Sequence, residues 1–191
     1  MAQSSQTISG QKTFKSAITV SEGCSFRASD NRISAASTSL ANLAVRDLIT
    51  ITGTTNNNAT FTVKSVDANG AYITVEETVT TENSDGSTDT VLTYSGFVTD
   101  KYKGDGYYSQ ADGIHTVAYH VNTTCTGAIK MQGSLATTPT EDDWFDITGT
   151  TFTTDLSTTI SANNFTGNFV WVRAKCTSNT AGSVTKILYN N

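Results

Sequence analysis

Short segments rich in β-branched residues recur along this 191-residue chain, and most of them end at glycine, asparagine or aspartate. Threonine alone supplies roughly one residue in five. A branched Cβ restricts χ1 and suits the pleated surface of a strand, whereas Gly, Asn and Asp adopt the backbone angles of tight turns. This repetition of strand and turn signals predicts an all-β protein.

Charged side chains are scarce, at 15% of the residues against about 25% in an ordinary soluble domain. A protein that packs against copies of itself, or a secreted adhesive domain, can have so few surface charges. The net charge of −5 and the scattered lysines and arginines leave no basic face for a phosphate backbone. We therefore predict no nucleic-acid partner.

No apolar stretch approaches the ~18–20 residues that span a bilayer, and the first five residues lack the basic and apolar regions of a signal peptide. We therefore predict a protein that is made in a reducing cytoplasm and has no membrane partner. Its cysteines, Cys24, Cys125 and Cys176, lack CxxC spacing and are predicted to be buried thiols. A disulfide between Cys125 and Cys176 is the alternative prediction, which requires that their two strands face each other.

Four parts can be distinguished along the chain. Residues 1–24 hold too few apolar side chains for a core, so either the rest of the chain or another subunit must cover them. We predict an extended anchoring segment, with an ordinary edge strand or a flexible tail as the alternative. Residues 25–98 are predicted to form a small β-domain with a hairpin turn at Asp67–Gly70. Residues 99–113 are predicted to be a Gly- and Tyr-rich linker, and residues 114–191 a β-sandwich or jelly-roll-like domain.

The predicted strands follow from alternating apolar residues between turn signals. In the β-domain they are Asn31–Ala35, Asp47–Gly53, Thr60–Val66, Ala71–Val75 and Thr90–Tyr94. In the sandwich they are Ile114–Val121, Ala128–Ser134, Trp144–Thr148, Ser157–Ala162, Phe169–Thr177 and Ser183–Tyr189. Apolar and polar residues alternate along the predicted strand Phe169–Thr177. Either of its faces can be the core: the face of Val172 and Ala174, or the face of Trp171 and Arg173.

The sequence offers no catalytic constellation. His115 and His120 lie five apart on one predicted strand, hence on opposite faces, and cannot ligate one metal ion together. The run Glu141–Asp143 is predicted to be a solvated loop tip, with Ca²⁺ binding as the alternative. Neither a Gly-x-Ser-x-Gly elbow nor a P-loop occurs. We predict that the protein is not an enzyme and uses no metal or cofactor.

Three stretches resemble proteins of tailed-bacteriophage particles. The N-terminal "QTISGQKTFKSAITV" is similar to extended, intertwined parts of trimeric tail fibres. The stretch "DLITITGTTNNNATFTVKSVDANGAYITV" resembles a small β-barrel-like module of phage structural proteins, but Arg46 and Ala59 stand where that pattern has glycine. The run from "GAIKMQGSLATTPTEDDWFDI" to "FTGNFVWVRAK" resembles C-terminal β-domains of virion proteins, which carry no catalytic motif.

This resemblance implies a non-enzymatic virion component made in the host cytoplasm. The leading hypothesis is a homotrimeric fibre or appendage, attached through its N-terminal segment, whose partners are itself and other virion proteins of the capsid, neck or tail. A capsid decoration (cement) protein and a receptor- or glycan-binding tip are the alternatives, and an exposed Trp144 or Trp171 would favour the tip. The predicted assembly contacts are Ile8, Phe14, Ile18, Val20, Tyr102, Tyr107 and Tyr108. For the three tyrosines, packing over the joint between the two domains is the alternative.

Overall fold

The computed structural model of the chain describes residues 6–9, 12–13, 19–21, 23–35, 38–83, 90–109, 113–177 and 181–191. Up to residue 21, and at 38–39, the description covers the backbone alone. Within these ranges antiparallel sheets are joined by turns and four short 3-10 helices, which confirms the all-β prediction. None of the described helices is long and apolar enough to cross a membrane.

The strands are numbered in chain order. Up to residue 98 they are β1 (Gln6–Ser9), β2 (Lys12–Thr13), β3 (Thr19–Ser21), β4 (Cys24–Arg27), β5 (Arg32–Ala35), β6 (Asp47–Thr52), β7 (Thr60–Val66), β8 (Tyr72–Val75), β9 (Glu82–Asn83) and β10 (Val91–Val98). After it they are β11 (Tyr102–Lys103), β12 (Ile114–Val121), β13 (Ala128–Ser134), β14 (Phe145–Asp146), β15 (Phe152–Thr153), β16 (Ile160–Thr166), β17 (Trp171–Thr177) and β18 (Ser183–Asn190). The 3-10 helices are Ala28–Asp30, Thr38–Asn42, Asp105–Tyr108 and Glu141–Asp143.

Two compact units are present. The first unit is Lys15–Phe97, and the second unit combines Met1–Phe14 with Val98–Asn191. Each has its own buried apolar side chains, as expected for units that fold around separate cores.

The first unit is a single antiparallel sheet in the order β10-β6-β7-β8-β5-β4-β9, with β3 beside β10. Its core consists of side chains that alternate along these strands, among them Ile33, Ile49, Ile51, Val63, Ile73 and Leu92. The predicted hairpin joins β7 to β8, where Gly70 has a φ of +69°. Within the described residues the sheet stays open, so the barrel-like module expected from the resemblance does not close into a barrel.

Arg46 and Ala59, which stand where the phage module pattern has glycine, differ in their backbone φ angles. Arg46 has a φ of +71°, in the left-handed region where glycine is unstrained and other residues are uncommon. A glycine at this position is therefore conformationally reasonable. The φ of Ala59 is not positive, so the turn between β6 and β7 does not require glycine at this position.

The second unit is a sandwich of two sheets. One has the order β1-β18-β12-β16, with β2 also on β18; the other has the order β14-β13-β17, with β11 beside β17 and β15 beside β13. The side chains buried between them include Val117, Tyr119, Ile129, Met131, Val172, Ala174, Cys176, Ile187 and Tyr189. Since Val172, Ala174 and Cys176 are fully buried, their face of β17 is the core and the face of Trp171 points outward.

Backbone pairing connects the N-terminal segment with the rest of the chain. β1 and β2 pair with β18, and β3 pairs with β10. Phe14 and Ile18 lie outside the described residues, and for Ile8 and Val20 only the backbone is described. The predicted assembly contacts of these four side chains stay predictions.

The segment predicted as a linker is folded onto the second unit. β11 pairs with β17, and the next two glycines hold the chain close to Phe169. The N–H groups of Gly104 and Gly106 donate to the carbonyls of Val170 and Phe169, at 3.0 and 2.9 Å. A Cβ at Gly104 would lie 2.5 Å from the Phe169 carbonyl oxygen, so these glycines permit the close approach.

All three cysteines are buried thiols. Burial raises the pKa of Cys125 from 9.0 to about 11, because the thiolate is poorly solvated there. The proton is therefore held more tightly in the folded state. This contribution to stability is fully present below pH 9 and is lost as the pH rises through about 11.

We expect the cysteines to react slowly with a thiol reagent such as Ellman's reagent at pH 8. For Cys125 the thiolate fraction should be about 100-fold lower in the folded chain than in the unfolded chain, because the two pKa values differ by about two units. Rates measured with and without urea test this expectation. Equal rates in both conditions would contradict the burial of the thiol.

Candidate interaction surfaces

An aromatic–lysine cluster lies on the outer face of the second unit and consists of Lys101, Lys103, Tyr107, Tyr108 and Trp171. The 3-10 helix Asp105–Tyr108 presents the two tyrosines, and β17 presents the tryptophan. The Tyr107 ring packs edge-on against Trp171 at 5.1 Å and against Tyr108 at 5.3 Å. The Nζ of Lys103 lies 4.0 Å from the centre of the Tyr107 ring, and that of Lys101 lies 4.7 Å from the centre of Trp171.

Two of the predicted contact residues therefore belong to one exposed surface. Tyr107 is 44% exposed and Tyr108 is 48% exposed. Tyr102 lies half-buried in β11, where burial and the charge of Asp100 raise the pKa of its phenol. Trp171 was missing from the predicted contacts, although the alternation along its strand had already placed it on the face opposite Val172. Cation–π contacts of this kind stabilise an aromatic surface while keeping charge at its rim.

A second cluster on the same sheet is built around Arg173, which is buried. Its Nη1 and Nη2 donate to the two carboxylate oxygens of Glu141 at 2.8 and 2.7 Å, and its Nε donates to Gln132 Oε1 at 2.9 Å. The guanidinium carbon lies 4.3 Å from the centre of the Trp144 ring. Bidentate pairing and an aromatic face satisfy this buried cation, so the cluster fastens the 3-10 helix Glu141–Asp143 to β17.

The acidic run at 141–143 is thus mainly structural. Glu141 pairs with Arg173, and the carboxylate of Asp143 accepts hydrogen bonds from the backbone N–H and the hydroxyl of Thr140 in a capping box. These bonds lower the pKa of Asp143. In the part of the chain that the structure describes, no group of three or more His, Cys, Asp or Glu side chains is arranged to hold a metal ion.

His115 and His120 lie on opposite faces of β12, as the spacing predicted. His115 is fully buried; its Nε2 donates to the Gly167 carbonyl at 2.7 Å, and its Nδ1 lies 2.8 Å from the Tyr189 hydroxyl. Its ring stacks on Phe165 with a centroid distance of 4.9 Å. Both ring nitrogens are therefore engaged in the core. His120 is half-buried, and burial together with Lys186 lowers its pKa.

An open cleft of about 520 Å³ lies along the C-terminal half of β16. Its lining includes the chain from Phe145 to Thr148 together with Asn164 and Thr166. Three phenylalanines line it, with ring centroids 6.0 Å apart for Phe145–Phe169 and 6.2 Å apart for Phe165–Phe169. The lining of the cleft therefore combines aromatic side chains with polar residues of strand β16.

Neither a protein-family model, nor a curated protein, nor a solved structure matches the chain. The protein class that the fold defines is an all-β chain of two units, one an open sheet and the other a sandwich.

Proposed function

We propose that the protein is a non-enzymatic structural component of a bacteriophage virion. The observation that carries this proposal is that three separate stretches of the sequence resemble virion proteins. An all-β chain with 15% charged residues is compatible with a protein that works by packing against other proteins.

The chemistry of the described side chains supports a structural role. Two groups that could serve as a general acid or base are used inside the fold: His115 is held by Gly167 and Tyr189, and Glu141 is held by Arg173. A general acid or base must reach a substrate, and these groups instead face buried partners.

The specific form that we propose is a homotrimeric fibre or appendage, attached to the capsid, neck or tail through the first 24 residues. A capsid decoration protein is the alternative within the same class. Residues of the N-terminal segment, Ile8 and Phe14 among them, are the proposed anchor because burial of apolar side chains against a partner would stabilise the attachment.

We expect the double variant Ile8→Asp with Phe14→Asp to be incorporated into particles at least about tenfold less than the wild-type chain, because two buried apolar contacts would be lost. The measurement is competition between tagged wild-type and variant chains, followed by quantification in purified particles. Thr60→Asp, an exposed change in the first unit, controls for the addition of a carboxylate elsewhere on the chain. Equal incorporation of the folded double variant would argue against an N-terminal anchor.

A second candidate, a glycan-binding tip, is favoured by the aromatic–lysine cluster. Sugar rings stack on aromatic side chains, and lysines at the rim suit acidic sugars. Both tryptophans are half-buried: Trp144 lies under Arg173, and Trp171 contacts Tyr107 and Lys101. Binding of the full chain to a glycan array, and its loss in Tyr108→Ser, would support this candidate; an array without signal would remove it.

A further inference from the structure

Strand β16 is the longest edge strand in the described sheets. It ends the order β1-β18-β12-β16, and its seven residues pair with β12 in an unbroken register from Ile114↔Thr166 to His120↔Ile160. The other edge strands of the described residues contain two to four residues. Natural sheets shorten their edge strands in this way because an exposed row of N–H and C=O groups pairs readily with another strand.

The usual protection against such pairing is missing from β16. Its sequence, Ile-Ser-Ala-Asn-Asn-Phe-Thr, contains neither a charged residue nor a proline, and its register with β12 shows no bulge. Charges, prolines and bulges are the features that keep an edge strand unpaired. Alternate residues are exposed, and Ile160 is an apolar residue that is 55% exposed. An edge of this kind is typical of an interface.

The register also shows which backbone groups point outward. Val121 N–H donates to the Thr159 carbonyl, and Gly167 N–H donates to the Gly113 carbonyl. Because hydrogen-bonded pairs alternate along an antiparallel ladder, the odd-numbered residues of β16 bond to β12. The N–H and C=O groups of the even-numbered residues therefore face away from the sheet; these are Ile160, Ala162, Asn164 and Thr166.

We propose that β16 pairs antiparallel with β16 of a second copy of this chain, about a two-fold axis at Asn163. This register places Ile160 opposite Thr166 and Ala162 opposite Asn164, so all the outward groups of both strands find partners. About eight hydrogen bonds would form, two for each of the four facing pairs. Two sheets would thereby become one continuous sheet across the contact.

A second copy fits this edge for two reasons. An antiparallel pair of identical strands is symmetric, so each residue faces a residue of the same strand, and a strand without charges meets no like charge there. An open cleft also lies beside Asn164 and Thr166, at the C-terminal half of this edge. The proposal goes beyond the virion assignment and does not rest on it. Pairing through β16 joins two copies, whereas the resemblance implies three. A dimer that depends on β16 would therefore replace the homotrimer as the form of the proposed virion component and would leave the virion assignment to its own test.

Sedimentation velocity of the full chain over a range of concentrations tests the pairing. We expect a species of twice the 20.3 kDa chain mass. The double variant Ala162→Lys with Asn164→Lys places ammonium groups opposite each other across the axis and should weaken association by about 100-fold or more. Ala162→Pro removes an outward N–H and leaves the ladder to β12 intact, so it should have the same effect.

Thr151→Lys, an exposed change in the same unit, is the charge control and should remain dimeric. Thermal melting of each variant establishes that it is folded; if Ala162→Pro does not fold, the double lysine variant carries the test. A wild-type chain that is monomeric at about 100 µM, far above a micromolar Kd, would overturn the proposal. So would a dimer or trimer unaffected by the double lysine change. Particle incorporation is measured separately, so failure of the dimer and failure of the virion assignment are distinguishable.

Discussion

Replacement of Gly182 by alanine is expected to destabilise the second unit by about 3 kcal/mol or more. The residue has a φ of +84°, and an added Cβ would lie 2.3 Å from the N and Cα atoms of Cys125 and 2.5 Å from the carbonyl carbon of Thr124. These are backbone atoms, which cannot move aside as a flexible side chain can. The strained φ and the clash therefore add together.

Urea unfolding followed by tryptophan fluorescence measures this loss, because both tryptophans lie in the second unit. Gly149→Ala is the matched control: its φ is +81°, and nothing lies within 4 Å of the added Cβ. Only the cost of the backbone angle remains there, about 1 kcal/mol. Equal losses for the two variants would show that the close approach between Gly182 and Cys125 is absent.

The second large effect is expected from Glu141→Ala, at about 3 kcal/mol. Arg173 is only 4% exposed, so loss of its bidentate carboxylate leaves a buried guanidinium without its main counter-charge. Asp142→Ala, an exposed change in the same 3-10 helix, should change the free energy of unfolding by less than about 0.5 kcal/mol.

A double variant distinguishes loss of the ion pair between Glu141 and Arg173 from general destabilisation of the 3-10 helix. Combining Glu141→Ala with Arg173→Met removes both charges, and an apolar side chain can occupy the space beside Trp144. We expect the double variant to be more stable than Glu141→Ala alone. A double variant that is no more stable than Glu141→Ala alone would indicate that the two side chains do not act as a pair.

Strands bounded by clear turn signals were predictable from the sequence. β7, β12 and β13 occupy the residues predicted for them. Of these three, β12 alone alternates without a break, with Val117, Tyr119 and Val121 on its inward face, whereas β7 has three consecutive buried residues and β13 has four. β16 was predicted at Ser157–Ala162 but spans Ile160–Thr166. The carboxylate of Asp155 accepts hydrogen bonds from the N–H groups of Ser157 and Thr158, which holds those residues in a turn and lowers the pKa of Asp155.

The interaction surfaces were only partly predictable, because they depend on contacts between distant residues. Tyr107 and Tyr108 were predicted as assembly contacts in a Gly-rich segment, yet Trp171 joins them from a strand more than 60 residues later. Arg173 and Glu141 are 32 residues apart, and no local pattern signals their pairing. A register between strands is required to bring such residues together, and alternation alone does not supply it.

The most direct test of the proposed function is the protein content of phage particles. Particles would be purified by density-gradient centrifugation from lysates of cells that carry the gene in its native genome, and this chain would be quantified by mass spectrometry against the major capsid protein. We predict that the chain bands with the particles in a fixed ratio to the capsid protein and stays with them after a high-salt wash. Its confinement to the soluble fraction, with no copies in the particle band, would contradict the assignment.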